Sequence, residues 1–265
     1  MSTYVVTGAA SGIGRAVAER LTVAGHAVVG VDLRGADIDA DVGTSAGRVA
    51  AVEAVTERCD GVVDGVVPCA GLGPIPDRPG GLIVAVNYFG TVELLEGLRP
   101  ALARSSAGPA VVAISSNSTT CAPGVPTDLI DLCLAGDEAA ATARADELDT
   151  MAGVYPASKI AVARWVRRNA VTDGWVGAGV RLNAVAPGMI ETAMVAEGRA
   201  DPTVGPLLDL FPIPLGRPGR PDEVAALITW LLGPEASLLC GSIVFADGGT
   251  DALLRTDDWP APWEL

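Results

Sequence analysis

Histidine and lysine are nearly missing from this chain of 265 residues: each occurs once, as His26 and Lys159, against seventeen arginines. With a lone histidine there is no basis for a Ser-His-Asp triad. The five cysteines, Cys59, Cys69, Cys121, Cys133 and Cys240, form no CxxC pair. No zinc-ligand spacing results, and no metal site is expected. The odd cysteine count also leaves no complete disulfide framework, so free thiols in a reducing compartment are expected. Basic residues are outnumbered, 18 to 32, giving a formal charge of −14. Such a surface repels nucleic acid and anionic membranes, so neither is expected as a partner. No basic stretch precedes an apolar one at the N-terminus, and no apolar run reads as long enough to span a bilayer; a cytoplasmic protein is expected.

What the chain has in quantity is apolar surface, 49% of residues, enough for a large core. Strands are predicted at Thr3–Thr7, Ala27–Val31, Gly65–Pro68, Ala110–Ser115, Val180–Val185 and Ser242–Ala246. Most are apolar on both faces, as in a parallel sheet covered by helices. Helical patterns alternate with them near 12–24, 44–58, 81–103, 153–173 and 221–232. The reading is an α/β fold, a doubly wound parallel sheet of Rossmann type, in one domain over 1–265. Two segments interrupt the alternation: 120–152, helical near 127–134 and 137–150, and 190–220, rich in Pro and Leu. Both follow the carboxyl ends of strands, where ligands bind in such sheets.

Thr7-Gly8-Ala9-Ala10-Ser11-Gly12-Ile13-Gly14 follows the first strand and opens the first helix. Glycines permit the tight turn and let backbone N–H groups approach a pyrophosphate at a helix N-terminus. Gly8, Ser11, Gly12, Ile13 and Gly14 are the candidate contacts. The second strand ends in Asp32, followed by Leu33; a carboxylate there accepts a hydrogen bond from an adenosine ribose 2′-OH and repels a 2′-phosphate. This favours NAD over NADP, although the guanidinium of nearby Arg34 can take a phosphate. The TGxxxGxG pattern resembles the cofactor loop of the short-chain dehydrogenases/reductases, and the resemblance runs over nearly the whole chain.

Tyr155-Pro156-Ala157-Ser158-Lys159 is the YxxxK motif of that family. Positions i and i+4 share a helix face, and an ammonium beside a phenol favours the phenolate. The resemblance implies that Tyr155 is the acid/base, that Lys159 lowers its pKa and holds the nicotinamide ribose, and that Ser116 binds the substrate oxygen. Asn87, inside the helix near 81–103, is implied to hold a water relaying protons to the lysine. Asp41 and Val42 resemble the adenine-contacting pair. Cys69-Ala70-Gly71 resembles the family's NAG motif with cysteine in place of asparagine. Pro187, Gly188, Ile190 and Thr192 resemble the loop that holds the carboxamide, and Asp247-Gly248-Gly249 also matches.

Ser116 and Tyr155 are 39 residues apart, an uncommon separation for the family. With Cys-Ala-Gly-Leu-Gly-Pro at 69–74 and Val86-Asn87-Tyr88-Phe89-Gly90, it resembles the bacterial 3α-hydroxysteroid dehydrogenase/carbonyl reductase subgroup. That implies an apolar secondary alcohol or ketone as small-molecule partner, with Leu72, Ile75, Met189, Met194, Leu207, Leu208 and Phe211 as candidate pocket residues. It also implies a homodimer through the helix near 221–232 and the last strand, a tetramer being second. Two other readings stand beside it: a general alcohol dehydrogenase or β-ketoacyl reductase of the same family, and a dinucleotide-sensing protein without turnover. Sensors of this kind usually lose the tyrosine or the lysine.

Overall fold

β1 (Thr3–Thr7) is almost fully buried. A strand with no polar face belongs in a sheet's interior, covered on both sides. The structure is a computed structural model describing residues 1–148 and 153–258. In it β1 pairs in parallel with β2 (Ala27–Asp32) on one side and β4 (Gly65–Pro68) on the other. The sheet has seven strands in the order β3-β2-β1-β4-β5-β6-β7, all parallel. The remaining strands are β3 (Ile38–Asp39), β5 (Ala110–Ile114), β6 (Arg181–Pro187) and β7 (Ile243–Ala246). β3 was not expected from the sequence. Two residues carry no period, and pairing with Val31 and Asp32 alone makes them a strand.

Alternation of side chains divides the core into two layers. Val5, Val66, Val111 and Ala113 face α2 (Ser45–Arg58), α4 (Gly90–Ala103) and α8 (Tyr155–Ala170). Tyr4, Val6, Val67 and Val112 face α1 (Gly12–Val23) and α11 (Pro221–Leu232). The doubly wound arrangement expected from the sequence is therefore the one observed.

The helix expected near 81–103 is three pieces: α3 (Gly80–Val84), a π turn (Ala85–Phe89) and α4. Together they run 24 residues and are apolar enough to cross a membrane by length and composition, which qualifies the expectation of no such run. Two thirds of its most apolar window, 67%, is buried inside the fold, as befits a core helix.

The segment before Tyr155 folds as α5 (Ser118–Cys121), α6 (Thr127–Ala135) and α7 (Glu138–Asp146). The expected second helix of this insertion ends earlier than position 150, and positions 149–152 lie outside the described residues. α6 packs on α8, placing Leu129, Ile130 and Cys133 in one core with Trp165 and Val166. α7 packs on α3 so closely that a Cβ at Gly80 would overlap the Ala145 carbonyl. The Pro- and Leu-rich segment holds two short helices, α9 (Ala193–Ala200) and α10 (Val204–Asp209), and the last described helix is α12 (Thr250–Leu254).

Candidate active site

The strand order reverses between β1 and β4, and the crevice beyond their carboxyl ends is where open α/β sheets bind ligands. A cavity of about 860 Å³ opens there. Each cofactor residue expected from the sequence lines it: Gly8, Ser11, Gly12, Ile13, Gly14, Asp32, Leu33, Asp41, Val42, Cys69, Ala70, Gly71, Tyr155, Lys159, Pro187, Gly188, Ile190 and Thr192. Thr7, Ala40, Leu82, Val86, Arg78 and Glu197 line it as well and were not singled out from the sequence. Thr7 sits in the glycine motif itself; its hydroxyl accepts from the Ala70 N–H at 3.0 Å and ties β1 to the turn after β4.

The glycine loop fits a dinucleotide on steric grounds. Gly8 and Gly12 have φ of +66° and +53°, the left-handed region glycine favours. A Cβ on Gly8 would lie 2.8 Å from the Ala70 nitrogen, and one on Gly14 would overlap the Gly8 carbonyl oxygen. Gly14 is thus what lets α1 start directly against the loop. Gly14→Ala is expected to force the two apart, costing about 1–3 kcal/mol of stability and most of the cofactor affinity. Thermal denaturation with and without cofactor measures both; unchanged binding would show that the cradle is not used. Ser11, the N-cap of α1, makes no side-chain capping bond, leaving its hydroxyl for a ligand. At the far end of the cavity Asp32 accepts from the N–H groups of Ala10 (2.9 Å) and Leu33 (2.7 Å), which fixes its carboxylate beside the loop. Arg34 is exposed.

The opposite end holds the hydroxyl and amine groups. Tyr155 opens α8 with Pro156 beside it, a residue suited to a helix start. Lys159, one turn on, has Nζ 5.8 Å from the Tyr155 ring centre and donates to the Ile114 carbonyl at 3.1 Å. The Ser116 hydroxyl accepts from the Ser118 N–H at 3.1 Å and lies close enough to the Tyr155 phenol to pull its pKa down. Ser115 lines the cavity, but its hydroxyl is engaged, donating to the Lys159 carbonyl at 3.1 Å. Ser116 and Asn87 are buried behind the cavity surface.

Asn87 lies in the π turn. Its Oδ1 accepts from the Leu72 N–H at 2.8 Å, and its Nδ2 donates to the Leu72 carbonyl at 3.0 Å and to Ser158 Oγ at 3.3 Å. The side chain thus replaces a backbone partner for the strand-end loop, and the turn is the kind of helix irregularity that clusters at functional sites. A Cβ at Gly71 would lie 3.2 Å from Asn87 Oδ1 and 3.7 Å from Lys159 Nζ, so glycine is what lets these groups share one corner.

Burial sets the protonation states. It pushes the Tyr155 phenol above its ordinary value, with the Ser116 hydrogen bond pulling the other way. The lysine effect expected from the sequence does not dominate in the free site. Burial instead depresses Lys159 to about 8, close to where catalytic lysines titrate. Cys69 is driven up to about 12, again by burial, which leaves a neutral, unreactive thiol. Among the described residues no cluster of three metal-ligating side chains exists.

Of the expected apolar pocket residues, Leu72 and Met194 line the cavity. Ile75, Met189, Leu207, Leu208 and Phe211 are not among its walls; Met189 is buried and Leu207 is exposed. Sequence hydrophobicity alone does not tell core from cavity in a segment that coils over itself. Arg78 joins two walls: it donates to the Gly73 carbonyl at 2.6 Å and to the Glu197 carboxylate at 3.0 and 3.1 Å.

The short chain dehydrogenase family model matches residues 2–126, and a model described as enoyl-(acyl carrier protein) reductase matches 140–251. The chain is 40% identical to the 3-alpha-hydroxysteroid dehydrogenase/carbonyl reductase of Comamonas testosteroni, over 96% of this chain and 98% of that protein. It is 32% identical to the cis-4-hydroxycyclohexanecarboxylate dehydrogenase of Sinomonas cyclohexanicum, covering 94% and 96%. Among solved structures, the 3-alpha-hydroxysteroid dehydrogenase from Pseudomonas sp. B-0831 complexed with NADH superposes with a TM-score of 0.92 at 48% identity, over 97% of this chain and all of that one. The chain belongs to the short-chain dehydrogenase/reductase family, and it is an oxidoreductase that interconverts alcohols and carbonyl compounds with a nicotinamide cofactor.

Proposed function

We propose that the protein transfers hydride between NAD(H) and an apolar secondary alcohol or ketone on a saturated ring, of the 3α-hydroxysteroid kind. Tyr155 is the acid/base, Ser116 the oxygen ligand, Lys159 the charge partner of Tyr155 and a hydrogen-bond donor to the ribose, and Asn87 the residue that organises the proton path. The observation that carries the reading is the convergence of Tyr155 and Lys159 on the wall of a cavity that Asp32 also lines, with Ser116 buried close to Tyr155. The two relatives named above, whose substrates carry hydroxyls on saturated rings, support the substrate class. Mixing protein with NAD or NADP and a panel of steroid 3-alcohols, cyclohexanols and open-chain alcohols, and following reduced-nicotinamide absorbance, tests it. Turnover of ring alcohols with NAD is expected; turnover of open-chain alcohols alone would discard the substrate class.

The preference for NAD rests on Asp32, a cavity-lining carboxylate at the end of β2 of the kind that repels a 2′-phosphate. Asp32→Ala is expected to narrow the NAD-over-NADP ratio of kcat/KM by roughly tenfold or more, since opposing like charges cost a few kcal/mol. An unchanged ratio would remove Asp32 as the discriminator. Five unpaired thiols support work in the cytoplasm. The resemblance to the hydroxysteroid dehydrogenase subgroup also suggests a homodimer through α11 and β7, measurable by light scattering on the purified protein.

A further inference from the structure

Arg48, on α2, is only 1% exposed, an unusual place for a guanidinium unless every donor is used. Its Nε donates to the Glu93 carboxylate of α4 at 2.7 Å. One Nη meets Glu138, the first residue of α7. The other donates to the backbone carbonyl of Val42 at 3.2 Å. Val42 and Asp41 form the cavity wall at its Asp32 end. The same Val42 carbonyl is pressed by the start of α4, where a Cβ on Gly90 would lie 3.0 Å from it. At its other end, α7 is held by Asp146, whose Oδ1 accepts from the Gly81 N–H at 2.7 Å. The inserted helix therefore spans from the base of the helix carrying Asn87 to the loop carrying Val42.

We propose that Arg48 is a positioning residue for the adenosine end of the cofactor site, and that the insertion, through Glu138, holds it in register. The proposal rests on the reading of that end of the cavity as an adenosine subsite. The physical content is preorganisation. The loop at 41–43 carries its own short-range bonds, among them Gly43 N–H to Asp41 at 2.9 Å. Besides the buried Val42 side chain, the Arg48 fork links this loop to α4 and α7 through its bonds to Val42, Glu93 and Glu138, a planar group that serves several acceptors at once. If that fork loses a carboxylate, the loop samples other positions, and a ligand binds in proportion to the fraction of time the loop is in place.

The test measures ADP-ribose binding by calorimetry, because ADP-ribose reaches the adenosine end without the nicotinamide. Glu138→Gln is expected to raise its dissociation constant about fivefold, and Arg48→Lys about tenfold, since an ammonium cannot replace the fork. The turnover number at saturating NAD should stay within about twofold of the parent. Arg144→Gln, which removes an exposed ion pair on the same helix, should leave ADP-ribose affinity unchanged. Equal affinity for ADP-ribose in folded Glu138→Gln and Arg48→Lys proteins overturns the proposal. So does a loss shared equally by the turnover number, or by Arg144→Gln, which would mark a general structural role. Absence of ADP-ribose binding in the parent protein overturns the adenosine reading itself, an outcome distinct from parent binding that the variants match.

Discussion

Tyr155→Phe is expected to lower kcat by about three to four orders of magnitude while leaving the NAD dissociation constant within about twofold. A positioned acid/base group contributes on that scale, and phenylalanine keeps the ring's packing while deleting the one atom that exchanges a proton. When bound, the nicotinamide ring accepts hydride in oxidation and returns it in reduction. In the proposed assignment the protein holds the substrate oxygen between the hydroxyls of Ser116 and Tyr155 and moves one proton at the Tyr155 oxygen. Burial raises the Tyr155 pKa in the free protein, so the resting group is a neutral phenol, ready to protonate a ketone oxygen. Oxidation needs the phenolate, which a charged Lys159 would favour only while it holds its proton, and burial lowers that proton's pKa to about 8. It follows that kcat/KM for oxidation rises with pH and that for reduction falls as the phenol is lost. Stopped-flow turnover in both directions across pH checks the slopes, and full activity in Tyr155→Phe would sink the assignment.

The parts of this arrangement that local chemistry writes were readable in the chain. The glycine loop announces itself because only glycine tolerates contacts such as that of Gly14 with Gly8. The lone lysine four residues after a tyrosine marks one helix face. Strands buried on both sides, such as Val5 to Thr7, read as apolar runs. What was not readable depends on partners distant in sequence. Nothing in Ala85-Val86-Asn87-Tyr88-Phe89 signals a π turn; it is held by Asn87 bonding to Leu72, 15 residues away. Arg48 looks like any arginine on an amphipathic helix until Glu93 and Glu138 close around it. The cavity walls in the Pro- and Leu-rich segment depend on how α9 folds back, which hydrophobicity does not encode.

Lys159→Met should abolish turnover and, at pH 7, make the protein more stable. Lys159 is 5% exposed, and burial depresses its pKa from 10.5 to about 8. Below pH 8 the group is charged in both folded and unfolded chains, and the fold bears the whole cost of burying the ammonium. Between pH 8 and 10.5 the folded chain releases the proton that the unfolded chain keeps, so the cost falls away and wild-type stability gains from this group as pH rises. A shift of this size corresponds to about 3 kcal/mol, reduced by about 1 kcal/mol for the lost hydrogen bond to the Ile114 carbonyl. A gain of roughly 2 kcal/mol at pH 7 is therefore expected for methionine, which fills the same channel without charge. The gain should shrink as pH rises from 8 towards 10.5. Urea unfolding of variant and parent, taken as a difference at each pH, cancels the other titrating groups. A variant less stable at pH 7, or a difference independent of pH, would show that Lys159 does not sit in the fold as a costly buried charge. The expected result is that of a residue retained for its chemistry against the stability of its own surroundings.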